Sequence, residues 1–166
     1  MGVLSGHELA QIDKQGRIVI PTLFRSALGG EFYAFPDGRY VGCLVLAPRE
    51  WFAKMVDELR QQVERFREIT TERLDEESLK QADRWVAAFQ YLVGCSKILK
   101  IDGQGRVVLP EGLLRITGLS RDMRVIVAGM VEVVKIWSQD AWEKFRKEVT
   151  AHYRFLMTRG ELGGKG

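Results

Sequence analysis

The residues best placed to do chemistry are an aspartate and an arginine four positions apart, and the pair occurs twice. Asp13 and Arg17 bound the run Asp13-Lys14-Gln15-Gly16-Arg17. Asp102 and Arg106 bound Asp102-Gly103-Gln104-Gly105-Arg106. Across a tight turn, such a carboxylate can pair with the guanidinium and hold it in one direction. A guanidinium fixed that way on a rigid hairpin is a probe for phosphate or for guanine edges. The same pair can also be a local salt bridge that steadies the turn, worth little at a surface. Turn chemistry alone does not choose between the two.

Little else on the chain offers catalysis. There are two histidines. His7 has no partner in sequence, and His152 lies one helical turn from Val149 and Leu156, beside an apolar stripe. Cys43 sits in an apolar run and Cys95 follows Gly94, so both read as packing residues. Two cysteines make neither a disulfide scaffold nor a four-cysteine zinc site. No glycine-rich phosphate-binding motif is present, and Gly103-Gln104-Gly105 is too short to count. Glu76 and Glu77 are adjacent and read as solvated. The expectation is therefore no enzyme, with no catalytic residue, metal site, cofactor or small-molecule substrate.

The elements that position the two turns emerge from self-similarity. Asp13 to Pro21 matches Asp102 to Pro110 at an offset of 89, with six of nine positions identical. Beyond the prolines, Leu23-Phe24-Arg25 resembles Leu113-Leu114-Arg115 if one residue is inserted. Cys43 to Leu46 before Trp51 resembles Val134 to Trp137 before Trp142. Arg17 to Ile20 and Arg106 to Leu109 read as strands entered through glycine and stopped by proline. Gln15-Gly16 and Gln104-Gly105 read as hairpin corners. Asp13 and Asp102 stand where an Asx side chain caps a turn. Further strands are expected over Val41 to Leu46, Arg124 to Val127 and Val133 to Trp137.

Helical spacing begins at Pro48, a good first helical position, and runs through Phe52, Val56, Leu59, Val63 and Phe66. A second stripe runs from Leu79 to Val93, with Thr70 to Glu77 expected as the turn between them. A last helix is expected after Ser138, an N-cap residue, with Trp142, Phe145, Val149, His152/Tyr153 and Leu156 on one side. Arg60, Arg65, Arg67 and Arg73 alternate with Glu58, Glu64, Glu68 and Glu72, the pattern of a salt-laced helix face. Arg121 and Arg124 lie near an expected turn, where they could touch backbone phosphate, but they are not counted among the candidate contacts.

The chain has 166 residues, 46% hydrophobic and 28% charged, with net charge +3. That is the composition of a globular protein. Charge is uneven: residues 1–50 balance, residues 51–90 are net −2 and residues 91–166 are net +5. The longest uncharged stretch, Trp85 to Ser96, is too short to span a bilayer. The N-terminus lacks a secretory pattern, and Gly6 stands where a myristoylation motif wants Ser or Thr. The expectation is a cytoplasmic protein of a reducing compartment.

Two copies of the turn in this order, each followed by a tryptophan-led helix, resemble the signature of MraZ proteins, bacterial transcription regulators of the AbrB-like (SpoVT-AbrB) group. The matching residues are Asp13-Lys14-Gln15-Gly16-Arg17-Ile18-Val19-Ile20-Pro21, with Phe24 and Arg25, and then Asp102 with Gln104 to Pro110. The resemblance spans about residues 5 to 155. It implies an α+β fold of tandem repeats that form a pseudo-dimeric swapped-hairpin β-barrel with flanking helices. It divides the chain into a first repeat at 5–52, a helical connector at 53–93, a second repeat at 94–142 and a C-terminal helix at 143–159; the tail at 160–166, with four glycines in seven residues, is expected to be disordered on composition.

The resemblance also implies ring homo-oligomers, octameric or larger, on double-stranded DNA in the nucleoid. Asp13, Lys14, Arg17, Asp102 and Arg106 would meet G-rich direct repeats upstream of a division and cell-wall gene cluster. Lys14 adds charge to the first turn where Gly103 removes it from the second, so the first turn is expected to be the main reader. Gln15, Gln104 and the long connector keep a second reading open: a ring-forming interaction scaffold without DNA binding.

Overall fold

The computed structural model describes residues 2–73 and 75–162. The elements run β1 (His7–Ile12), β2 (Arg17–Val19), α1 (Thr22–Leu28), β3 (Glu31–Pro36), β4 (Cys43–Pro48), α2 (Arg49–Arg73), α3 (Glu76–Cys95), β5 (Lys97–Lys100), β6 (Arg106–Val108), α4 (Glu111–Thr117), β7 (Met123–Met130), β8 (Val133–Ser138) and α5 (Gln139–Leu162).

One antiparallel sheet has the order β1-β7-β8-β4-β3-β5, and β2 and β6 form a separate two-stranded ribbon. The order is a near twofold. Hairpins β3–β4 and β7–β8 meet at its centre, where Cys43 faces Trp137 and Leu46 faces Val134. Each half then lends its first strand to the other: β1 pairs with β7, and β5 with β3. The ribbon is also shared, with Ile18 opposite Val107.

The α+β class holds, but the expected barrel does not form. The six-stranded sheet ends at β1 and β5, which do not pair with each other, and the ribbon stands apart from it. The strands exchange between halves without closing on themselves.

Local chemistry sets the boundaries. Pro21 and Pro110 have no N–H for a ladder; they end the ribbon strands and precede α1 and α4 with φ of −51° and −60°. Those helices end at Gly29 and Gly118, again 89 residues apart. The repeat therefore continues without the expected insertion. Phe24 corresponds to Leu113, Arg25 to Leu114, and Ser26 to Arg115.

Alternate residues of the sheet and ribbon build a central core. It includes Ile12, Ile18, Phe24, Leu44, Leu46, Val107, Leu113, Val134 and Ile136. The outer face of the sheet is covered by the first turns of two helices. Phe52 of α2 packs with Phe35 and Val45, and Trp142 and Phe145 of α5 pack on Trp137. Between the halves, Lys135 Nζ donates to Asp37 Oδ2 at 2.6 Å.

Several local expectations shift. Val41 is exposed, and the strand begins at Cys43. Pro48 ends β4, and α2 starts one residue later. The connecting turn is much shorter than Thr70 to Glu77. Helix α2 continues to Arg73, with the Thr70 hydroxyl donating back to the Phe66 and Arg67 carbonyls, and Asp75 caps α3 by accepting from the Ser78 N–H. Ser138 caps α5 as expected, its Oγ accepting from the Ala141 N–H at 3.1 Å. Helix α5 runs to Leu162, into the stretch expected to be disordered, and residues 163–166 of that stretch lie outside the described residues.

Candidate nucleic-acid interface

The two Asp–Arg turns have one geometry. Asp13 Oδ1 accepts the backbone N–H groups of Gln15 and Arg17 at 2.9 and 2.8 Å, and Oδ2 accepts Arg17 Nε at 2.8 Å. In the second turn, Asp102 Oδ1 accepts the N–H groups of Gln104 and Arg106, both at 2.9 Å, and Oδ2 accepts Arg106 Nε at 2.8 Å. One carboxylate thus closes the turn and aims the guanidinium, using only the Nε side of the fork. The carboxylate leaves the terminal nitrogens to other partners. In the first turn, Arg17 Nη2 also donates to Gln15 Oε1 at 3.1 Å, a second restraint. Among the described residues, no matching bond joins Arg106 and Gln104.

These bonds favour the charged carboxylates. The Arg17 backbone N–H holds Asp13 below the usual carboxylate range, helped by the Arg17 side chain and the Gln15 N–H, against a smaller cost of burial. Asp102 is lowered in the same way by Arg106 and Gln104. Both aspartates therefore stay ionised and oriented at neutral pH.

The ribbon sets the spacing between the forks. Arg17 lies opposite Val108, and Arg106 opposite Val19. All four point to one side, and Ile18 and Val107 point to the core. The two arginines are diagonal neighbours across the ribbon. Between them Val19 and Val108 are 50% and 58% exposed. The outer face is therefore an apolar pair flanked by two aimed guanidiniums. Lys14 stands exposed at the tip of the first turn.

Each turn receives a further guanidinium from the opposite half. Gly105, at φ +77°, leaves its Cβ space to the Arg25 guanidinium, and Arg25 Nε donates to the Ile20 carbonyl at 2.7 Å. At Gly16, the nearest guanidinium is that of Arg121, whose Nε lies 3.7 Å from the position of a Cβ. Arg121 also pairs with Glu111 at 3.3 Å. Arg25 and Arg121 do not occupy equivalent repeat positions. Leu114 stands where Arg25 would recur and is buried, so Arg121 reaches the first turn from the α4–β7 loop instead.

All five residues singled out in the sequence lie on this ribbon or its turns: Asp13, Lys14 and Asp102 in the turns, Arg17 and Arg106 at the starts of β2 and β6. The role of Arg25 at the second turn and the exposed valine pair were missed. The valines were detectable from the period-two alternation of Arg17-Ile18-Val19-Ile20.

The remaining candidates lie elsewhere. Cys43 is buried, and burial pushes its thiol well above the ordinary range. His7 lies against Trp142, ring centres 5.0 Å apart. His152 is exposed, with Nδ1 3.2 Å from the Glu148 carbonyl oxygen. Among the described residues, no three metal-binding side chains cluster, and no helix is long and apolar enough to cross a membrane.

Comparison with known proteins gives one consistent answer. A family model described as "MraZ protein, putative antitoxin-like" matches residues 95–155. A protein of Bacteroides fragilis named Transcriptional regulator MraZ is 31% identical over 153 residues, covering 88% of this chain and 84% of its own. Proteins of the same name from Moorella thermoacetica and Clostridium tetani are 29% and 26% identical, covering 87% and 92% of this chain and 87% and 93% of their own.

Proposed function

The chain belongs to the MraZ family, and on that premise we propose that it is a sequence-specific, DNA-binding transcriptional regulator. The observation that carries this reading is the pair of identically built Asp–Arg forks on one face of a two-stranded ribbon. A two-stranded β-ribbon fits the major groove of B-form DNA, where a guanidinium can bond guanine O6 and N7. Arg17 reads guanine edges or phosphate, Asp13 and Gln15 orient it, and Lys14 meets phosphate. Arg106, held by Asp102, is the secondary contact. The exposed valines suit thymine methyl groups between them.

The target is a set of tandem G-rich direct repeats upstream of the division and cell-wall gene cluster. One ribbon makes few contacts, so a single site binds weakly and responds to salt. A ring of eight or more copies presents several ribbons, and each bound site raises the local concentration for the next. The two repeats at 5–52 and 94–142 then form one DNA-reading unit, with the connector at 53–93 and the helix at 143–159 outside it. The protein works in the cytoplasm, on the nucleoid.

A gel-shift titration tests this against upstream DNA holding the repeats, with a scrambled control, at two salt concentrations. Wild type should prefer the repeats and weaken with salt. Arg17→Ala should lose about 5- to 150-fold in affinity, the worth of one bidentate base contact. Its salt slope should fall by about one if the contact is to phosphate. Equal binding of both DNAs by wild type would overturn the reading.

A further inference from the structure

The two turns share one geometry, but the opposite half surrounds them with different charge. The loop ahead of β7, residues 118–122, brings Arg121 and Asp122 to the first turn. The Asp122 N–H donates to the Asp13 carbonyl at 3.4 Å, and the Asp122 carboxylate accepts from the Gln11 side chain at 3.3 Å. Arg121 is answered by Glu111, as Arg17 is by Asp13. The cations Lys14, Arg17 and Arg121 are therefore matched by Asp13, Glu111 and Asp122.

The second turn lacks this balance. The loop ahead of β3 is Gly29-Gly30 and carries no side chain. It lies against the strand that enters the second turn, the Gly30 carbonyl accepting the Ile101 N–H at 3.0 Å. Asp102 answers Arg106. Lys100 stands where the first half has Gln11, and Glu31 across from it is paired with Arg49. Among the described residues, no carboxylate pairs with Arg25. Its guanidinium fills the space that a Cβ on Gly105 would take, one residue before Arg106, and its Nε is held by the Ile20 carbonyl at 2.7 Å.

Arg25 and Arg106 are thus fixed in the same way, each through Nε. Among the described residues, no hydrogen bond or ion pair engages the terminal nitrogens of either. A guanidinium held at Nε keeps those nitrogens for the oxygens of a phosphate. The tip of this turn is also bare, since a Cβ at Gly103 would meet open space. Phosphate contacts position a protein on the duplex without reading its sequence.

We propose that Arg25 is a DNA contact: with Arg106 it binds backbone phosphate at the second turn, which anchors the duplex while Arg17 at the first turn reads bases. The inference rests on the DNA-binding reading above and adds to its site a residue from α1.

Fluorescence anisotropy on the full chain tests it, with a duplex holding one G-rich repeat and a scrambled duplex, from about 50 to 200 mM salt. Arg25→Gln should weaken both duplexes by the same factor and lower the salt slope by about one. Over that rise in salt, wild type should lose about 3–4-fold more affinity than the variant, the share of one phosphate. Arg17→Ala should instead lower the ratio between the two duplexes. Each variant is assayed below its melting temperature, since loss of the Ile20 bond lowers it. Should Arg25→Gln fail to fold, Arg25→Leu takes its place, because leucine stands at the equivalent position 114.

A wild-type salt slope in the Arg25 variant overturns the inference and leaves Arg25 a structural role at the Ile20 carbonyl. A fall in the ratio between the duplexes would assign Arg25 to bases and overturns the phosphate role. A wild type that binds both duplexes equally overturns the sequence-specific reading beneath it.

Discussion

The two turn glycines should respond differently to the same substitution. Gly16 and Gly105 sit at φ +79° and +77°. Alanine at either meets the cost of left-handed backbone, about 1–2 kcal/mol. At Gly16 the new methyl comes 3.3 Å from the Leu109 carbonyl oxygen and 3.7 Å from Arg121 Nε, so small shifts accommodate it. At Gly105 it would overlap the Arg25 guanidinium. Arg25 must then swing away and release its 2.7 Å bond to the Ile20 carbonyl. A bond from an ionised donor is worth about 1.5–3 kcal/mol, and half-exposure of Arg25 brings it toward 1–2 kcal/mol. For a chain of this size, each kcal/mol moves Tm by about 2–4 °C. Gly105→Ala should therefore melt about 2–8 °C below Gly16→Ala, and urea midpoints should keep the same order. In an Arg25→Ala background the excess should vanish. Equal losses for the two alanines, or an excess that survives without Arg25, would refute the argument.

The acid limb of stability should belong partly to the turns. Asp13, Asp102 and Asp37 are all held below the ordinary value of 3.8. For Asp37, burial pulls the other way and is outweighed by Lys135 and the Arg39 and Tyr40 N–H groups. A depressed carboxylate contributes fully above its unfolded value and loses that contribution as pH falls through its folded one. Tm should stay level from about pH 8 to 5 and drop below about pH 4, and Asp13→Asn/Asp102→Asn should lower the plateau and flatten the drop. In thiol titration of the native protein at pH 8 with a disulfide reagent, buried Cys43 should stay silent and at most Cys95 should react, with two thiols appearing in denaturant. Free-thiol rates at Cys43 without denaturant would show that its site opens readily.

What was legible in the sequence was whatever the chain encodes locally. The duplicated turn, its Asx closure and the proline stops all depend on neighbours within five residues. The ribbon strands, the long helices and the Ser138 cap could therefore be read directly. Strands β1, β3 and β5 could not. His7 to Ile12 carries Glu8 and Gln11, alternates poorly, and is a strand because β7 pairs with it from the far end of the chain. Barrel closure was expected from the family resemblance alone; no local run of residues carries it, and the edges at β1 and β5 are left apart. At the candidate site, the five turn residues were visible. The guanidiniums of Arg25 and Arg121 at Gly105 and Gly16 were not, because they arrive from the opposite half and from unmatched repeat positions.

The exchange of first strands also dictates an order of events during synthesis. Strand β1 is complete by Ile12, but its partner β7 begins at Met123. At an elongation rate of about 5–20 residues per second, the intervening stretch takes roughly 5–20 s to emerge. Through that interval β2 and the β3 edge also lack their partners β6 and β5. Beyond the β3–β4 hairpin, the nascent N-terminal half is therefore a set of unpaired edges, and the full sheet can assemble only after nearly the whole chain has left the ribosome. Two such nascent halves on one messenger RNA offer each other the edges that each will later find in its own C-terminal half.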